Sequence, residues 1–209
     1  MKYQLRDYQK KASDAAVMCF KMKSGRNGLL VLPTGAGKSL IIADIAARLE
    51  EPLIVFQPNK EILEQNFAKL QTYGIWDCSI YSASVGRKEI SRITFATIGS
   101  VIRHMKDFQH FKNILIDECH LVKPSDGMYK RFFEQAERRI VGLTATPYRL
   151  YSCMNGSMLK FLTRTRPRVF SQVLYYCQVS ELLAKGFLSR LKYYDVTRID
   201  LTKVRRNSS

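Results

Sequence analysis

Leu29-Leu30-Val31-Leu32-Pro33-Thr34-Gly35-Ala36-Gly37-Lys38-Ser39 sets the fold class. An apolar run stops at a glycine-containing loop closed by Lys-Ser, and a helical pattern over Lys38–Leu49 follows at once. Strand, loop and helix in that order make an anion cradle. Backbone N–H groups of the loop and the helix N-terminus face the anion, Lys38 adds positive charge, and the Ser39 hydroxyl suits Mg2+. The strict G-x-x-x-x-G-K-[ST] pattern has glycine where Leu32 stands here, so the flanking strand and helix carry part of the assignment.

Outward from the loop, apolar runs alternate with helical patterns. Strands are expected at Gly28–Leu32, Leu53–Gln57, Cys78–Ser82, Ile93–Ala96, Ile114–Asp117 and Ile140–Leu143, and helices at Asp7–Lys21, Lys38–Leu49, Lys60–Tyr73, Ser100–Met105 and Gly127–Ala136. Several strands are apolar on both faces, as in a parallel sheet covered by helices, so the expected fold is a doubly wound α/β domain over residues 1–150. Beyond Pro147 the pattern loosens into a basic extension, 151–196. An Asn155-Gly156 turn, an extended Val169–Val179, a helix Ser180–Lys185 capped by Ser180 with Gly186 just after it, and a strand Leu188–Val196 are expected there, before a polar and disordered tail, 197–209.

The 209 residues are 46% hydrophobic, enough for one large core, and Lys plus Arg number 34 against 18 Asp plus Glu. A net charge of +16 points to a polyanion partner, since basic side chains that release counterions dominate non-specific nucleic-acid affinity; simple solubility is the ordinary alternative. Residues 151–209 hold 11 positive and 3 negative groups, making them the more basic part per residue. Cys19, Cys78, Cys119, Cys153 and Cys177 are widely spaced, with no C-x-x-C pair, and read as reduced packing residues of a cytoplasmic protein. No apolar run approaches the roughly 20 residues of a membrane span, and the N-terminus lacks the apolar core of a secretory signal.

Two further strand ends carry chemistry. Asn113-Ile114-Leu115-Ile116 leads into Asp117-Glu118-Cys119-His120. Adjacent carboxylates at a buried strand end repel each other and lose solvation, so a purely structural role is unattractive. A nucleotide hydrolase gives them separate work, with Asp117 on Mg2+ opposite Ser39 and Glu118 orienting and deprotonating water. A solvated strand end followed by a turn is the plainer reading. Gly142-Leu143-Thr144-Ala145-Thr146-Pro147 also ends an apolar run, and its hydroxyls can reach His120 or the acids.

Together these elements resemble the first RecA-like domain of superfamily 2 helicases and translocases. Pro33-Thr34-Gly35-Ala36-Gly37-Lys38-Ser39 looks like the family's motif I, Asp117-Glu118-Cys119-His120 like motif II, and Thr144-Ala145-Thr146 like motif III. Leu5-Arg6-Asp7-Tyr8-Gln9 resembles the segment whose glutamine reads the adenine edge, which implies ATP with Gln9 and Arg6 beside the base; without the resemblance Gln9 reads as an exposed helix residue. Pro58-Asn59-Lys60 and Thr97-Ile98-Gly99-Ser100 resemble motifs Ia and Ib, which implies backbone contacts to nucleic acid from Pro58, Asn59, Lys60, Thr97 and Ser100, with Gly99 standing where the family often has Gln. Lys60 reads equally as a solvated charge. Thr146-Pro147-Tyr148-Arg149-Leu150 and Ser180–Leu188 look like RadD-type DNA-repair helicases and restriction-enzyme translocase subunits.

The resemblance implies ATP and Mg2+ as ligands, DNA rather than RNA as track, and a second RecA-like domain. That domain would supply Gln-x-x-Gly-Arg-x-x-Arg arginines to the transition state; no such string occurs here, so low turnover by this chain alone is expected. A P-loop kinase for a small acceptor and a non-catalytic nucleic-acid-binding module are the rival readings. The paired acids and the Thr-Ala-Thr element weigh against the first, and the intact Lys38, Ser39, Asp117 and Glu118 against the second.

Overall fold

A computed structural model describes residues 4–22, 26–153 and 156–190, with the side chains of 152 and 153 also outside the description. In chain order the elements are α1 (Asp7–Lys21), β1 (Gly28–Val31), α2 (Lys38–Arg48), β2 (Leu53–Phe56), α3 (Lys60–Thr72), β3 (Cys78–Ser82), β4 (Arg87–Lys88), β5 (Ile93–Ala96), α4 (Ile98–Val101), β6 (Asn113–Ile116), α5 (Met128–Phe133), β7 (Arg139–Thr144), β8 (Tyr148–Cys153), β9 (Gly156–Phe161), β10 (Gln172–Tyr176) and α6 (Val179–Ala184). Among the described residues eight strands form one sheet in the order β10-β1-β7-β6-β2-β5-β3-β4, parallel throughout except for the β3–β4 pair. The expected doubly wound α/β architecture is therefore present, with helices on both faces.

Successive strand residues point to opposite faces, which divides the core in two. Leu30, Val55, Phe95, Leu115 and Val141 pack with Ala12, Ala16 and Phe20 of α1, Ile41 and Ile45 of α2, and Leu63 and Phe67 of α3. Leu29, Ile54, Phe56, Ile114 and Ile140 pack on the other face with Val101, Phe108, Phe111, Phe132 and Phe170. Buried on both sides, these strands alternate no polar residues, which is why they read as short apolar runs. Asn59 caps α3, its side chain accepting from the Ile62 N–H at 2.9 Å.

Two glycines in strands are set by close approach. A Cβ on Gly142 of β7 would lie 2.6 Å from Cys119 Sγ and 2.8 Å from Phe170 Cε1, so the segment carrying Glu118 and His120 rests on a bare backbone. Gly28 of β1 similarly leaves room for Leu174, which bulges out of the β1–β10 register.

Several elements differ from expectation. The region expected as one helix, Ser100–Met105, is α4 followed by a 3-10 turn at Met105–Phe108, and Gly127–Ala136 contracts to α5. Within Val169–Val179 the strand is β10, which extends the sheet beside β1, so residues past 150 share the sheet of residues 1–150. Asn27 secures that edge: its side chain donates to the Val169 carbonyl and accepts from the Ile140 N–H. The cap of α6 is Gln178, with Ser180 already helical, while Gly186 follows the helix at positive φ and Phe187 N–H returns to the Leu182 carbonyl. The β8–β9 hairpin was not expected, because its residues satisfy one another locally and show no core-facing period. Asn155 of the expected turn, nearly all of Leu188–Val196 and the 197–209 tail fall outside the described residues, and Leu188–Arg190 form no strand. Among the described residues no helix is long and apolar enough to cross a membrane.

Candidate functional site

The cradle of Pro33–Ser39 joins the carboxyl end of β1 to α2. Gly35 and Gly37 adopt φ of 81° and 77°, conformations that glycine reaches without a Cβ clash. At Gly37 the Cβ is excluded twice over, since it would lie 2.5 Å from Gln9 Nε2. Gln9 is only 3% exposed, which sets aside the surface-helix reading. Its Nε2 donates to the Ala36 carbonyl at 3.0 Å, the Tyr8 hydroxyl donates to the same oxygen at 2.9 Å, and the Arg6 N–H donates to Gln9 Oε1 at 2.9 Å. The first turn of α1 thus fixes the shape of the loop. The Arg6 guanidinium lies 4.2 Å from the centre of the Phe187 ring, which also packs on Tyr8. Thr34 and Gly35 are exposed at the loop tip, Pro33 and Ala36 are buried, and Lys38 and Ser39 open α2 half-buried.

Lys38 Nζ meets Glu118 Oε1 at 2.5 Å. Glu118 is the one described non-glycine residue at positive φ, 47°, a left-handed conformation uncommon outside glycine. It turns the chain sharply out of β6 and turns the carboxylate toward the cradle. Asp117, 6% exposed, accepts from the Glu118 N–H at 3.0 Å through Oδ1 and from Asn66 Nδ2 at 3.2 Å through Oδ2. Burial pushes its carboxyl above the ordinary range, with the Lys38 charge opposing and the Glu118 charge adding to the rise.

That direction fixes a pH dependence. A carboxyl whose folded pKa exceeds its unfolded one favours the native state when protonated, and this contribution is lost as pH rises through the folded value. Asp117→Asn is therefore expected to raise the unfolding temperature at pH 7 in chelator-containing buffer, the gain vanishing below about pH 4, the unfolded carboxyl range. Thermal denaturation across pH checks it, and an equal gain at all pH values would contradict the buried-charge origin.

His120 extends the network. Its Nδ1 is 3.0 Å from Thr144 Oγ1 and 3.3 Å from Glu118 Oε2, while Thr144 Oγ1 accepts from the Thr146 N–H at 3.0 Å. Because the Thr144 hydroxyl also donates to the Thr146 carbonyl at 3.2 Å, its oxygen accepts from His120, whose Nδ1 therefore carries a hydrogen in this network. Lys38, Glu118, His120, Thr144 and Thr146 thus form one connected chain.

Pro58, Asn59, Lys60, Thr97 and Ser100 all line a single groove of about 800 Å3 at the carboxyl edge of β2, β5 and β3. Exposed Lys88, Arg103 and Lys123 line it too. These three were missed in the sequence, because cations scattered over unrelated loops carry no motif. Asn59 and Ser100 are committed to shaping the groove, Ser100 Oγ accepting from the Ala83 N–H at 2.9 Å. Gly99 leaves open space where a side chain would stand. Gln57, also in the groove wall, accepts from Asn66 Nδ2 at 3.1 Å, so one amide touches both the wall and Asp117. Phe187 was missed as well, because its partners lie near the opposite end of the chain.

The fold and the family match together place the chain in the superfamily 2 class, as a first RecA-like domain. Residues 2–149 match the family described as "Type III restriction enzyme, res subunit", and the chain belongs to that family. It is 29% identical over 151 residues to the DNA 3'-5' translocase XPB2 of Sulfurisphaera tokodaii, covering 71% of this chain and 32% of the relative. Its fold is similar to the UvsW helicase of bacteriophage T4, with a TM-score of 0.55 at 22% identity over 69% of this chain and 54% of that one. It is also similar to a nuclease-deletion mutant of the Type ISP restriction-modification enzyme LlaGI in complex with a DNA substrate mimic, with a TM-score of 0.64 at 14% identity over 88% of this chain and 18% of that one. The chain spans 26% to 46% of the length of the curated relatives it matches.

Proposed function

We propose that this chain is the ATP-binding half of a motor that couples ATP hydrolysis to movement along DNA, in DNA repair or restriction in the cytoplasm. The observation that carries the reading is the pairing of Lys38 with Glu118 beside buried Asp117, on the same sheet edge as a basic groove. A kinase has no need of that groove, and a passive binding module has no need of the Lys38–Glu118 pair.

In this reading Lys38 and the cradle N–H groups hold the terminal phosphates. Ser39 and Asp117 offer oxygen ligands of the kind Mg2+ takes, an ion that is commonly shared between one or two protein oxygens, phosphates and water. Bound Mg2+ would neutralise charge between the phosphates. Glu118 orients and deprotonates the attacking water once phosphate takes its place on Lys38. Gln9 holds the Ala36 carbonyl and, with Arg6, faces the adenine side. His120, Thr144 and Thr146 carry the state of Glu118 to the edge of the sheet, while Asn66 links Asp117 to Gln57 in the groove. Pro58, Asn59, Lys60, Thr97 and Ser100 form the track surface. A second RecA-like domain would complete the site with arginines, a contribution on the order of 10³–10⁵ in rate.

ATP turnover by the protein with both domains, with and without DNA, tests the proposal. DNA-stimulated phosphate release is expected. ATP-dependent phosphorylation of small-molecule acceptors with no DNA stimulation would replace the motor with a kinase.

A further inference from the structure

Between Glu137 and Glu181 the chain contains no acidic residue, yet it carries Arg138, Arg139, Arg149, Lys160, Arg164, Arg166 and Arg168. The structure gathers four of these. Lys160, Arg164, Arg166 and Arg168, with Leu159 and Phe161, line a concavity of about 550 Å3 on β9 and the turn that follows it. The three arginines are exposed, and among the described residues none of the four cations makes a salt bridge. Like charges held together without carboxylates repel one another, and a polyanion relieves that repulsion.

The surface is anchored rather than loose. Leu162 is buried in the core and its N–H donates to the Pro147 carbonyl at 2.8 Å, closing the base of the hairpin. Thr165, buried between two of the arginines in sequence, donates its hydroxyl to the Leu162 carbonyl at 3.2 Å. Arg149 Nη1 donates to the Val122 carbonyl at 2.7 Å, next to Lys123 of the groove, so the hairpin and the groove are braced at adjoining residues. Apolar surface interleaves with the charge: Phe161 is 51% exposed, its ring edge-on to Tyr148, and Leu150 is 72% exposed. Cations for a backbone beside an aromatic ring for a base are the parts of a single-strand site.

We propose that the β8–β9 hairpin and the Arg164–Arg168 turn are a second nucleic-acid site, separate from the groove. It takes a single strand, with phosphates on Lys160, Arg164, Arg166 and Arg168 and an unpaired base on Phe161. The proposal rests on the nucleic-acid reading of the groove.

Titrating labelled oligothymidylate and a labelled duplex into the chain over a salt series separates the two sites. With Arg164→Glu, Arg166→Glu and Arg168→Glu together, affinity for the single strand should fall at least tenfold. The salt slope should fall by about 2, at roughly 0.7 for each phosphate no longer neutralised. Phe161→Ala should weaken the single strand and leave the duplex unchanged. The nucleotide-induced thermal shift reports folding in each variant; if the Glu set fails to fold, the same three positions as Gln read the same slope. An unchanged slope in the arginine variants, with a reduced slope for Lys60→Glu and Arg103→Glu, would overturn the hairpin site and leave the groove reading standing. Unchanged slopes in both sets would overturn the groove reading itself. Unaltered oligonucleotide binding with impaired docking of the second domain would assign the surface to that domain and also overturn the proposal.

Discussion

Lys38→Ala is expected to weaken ATP binding by about 2–4 kcal/mol, roughly 30- to 1,000-fold, the usual loss when one member of a half-buried, charge-assisted pair is removed. Two effects combine. The phosphates lose their closest cation, and Glu118 loses the partner that holds it at 2.5 Å. With the ammonium gone, only the hydrogen bonds from the Glu118 N–H and Asn66 oppose the burial that raises the Asp117 carboxyl and its repulsion by Glu118, so that carboxyl moves further upward. The nucleotide-dependent thermal shift of the chain checks this directly. A variant that ATP–Mg2+ stabilises as well as it stabilises the parent protein would remove Lys38 from the phosphate site.

Glu118→Gln separates binding from chemistry. In the protein carrying both domains, kcat should fall by about 10²–10⁴, the usual contribution of a positioned general base. ATP should bind at least as tightly, because the neutral amide competes less well for Lys38 and repels phosphate less. The left-handed backbone at φ 47° is as accessible to Gln as to Glu, so a folding defect is not expected. Single-turnover hydrolysis alongside equilibrium nucleotide binding distinguishes the two quantities. Turnover within a few-fold of the parent would mean that another group activates the water.

Much of the architecture is legible in the chain, and the reason is local. A strand buried on both faces needs consecutive apolar residues; Leu53–Phe56 and Ile114–Ile116 supply them, and Ile93–Ala96 does so with Thr94 as its one polar member. Their carboxyl ends run straight into polar segments, Gln57–Lys60, Thr97–Ser100 and Asp117–His120, so motif and strand end locate each other. The hairpin is opaque for the opposite reason: its strands pair with each other and present exposed Met158, Leu159 and Phe161, so no burial pattern marks them. The four-residue α4 is too short to show a helical period.

Within the candidate site, residue types and tertiary contacts divide the information. Lys38, Ser39, Asp117 and Glu118 stand out because their chemistry is uncommon beside apolar strands. Gln9 does not: an amide on a polar helix start reads as surface until α1 is docked on the cradle and its two ends bind Arg6 and Ala36. Lys88, Arg103 and Lys123 come from a short edge strand, the residues after α4 and the loop before α5, and only the sheet order brings them to one groove. The same holds for Phe187 against Arg6.

The α/β class, the phosphate cradle and the acidic strand end are thus written in the chain itself, because each depends on neighbours a few residues apart. Three-dimensional packing alone establishes that Glu118 pairs with Lys38 across 80 residues, that His120 reaches Thr144, and that separate cations form two concave surfaces. Those outcomes follow from sheet order and close packing around Gly142 and Gly37, distances that no local pattern encodes.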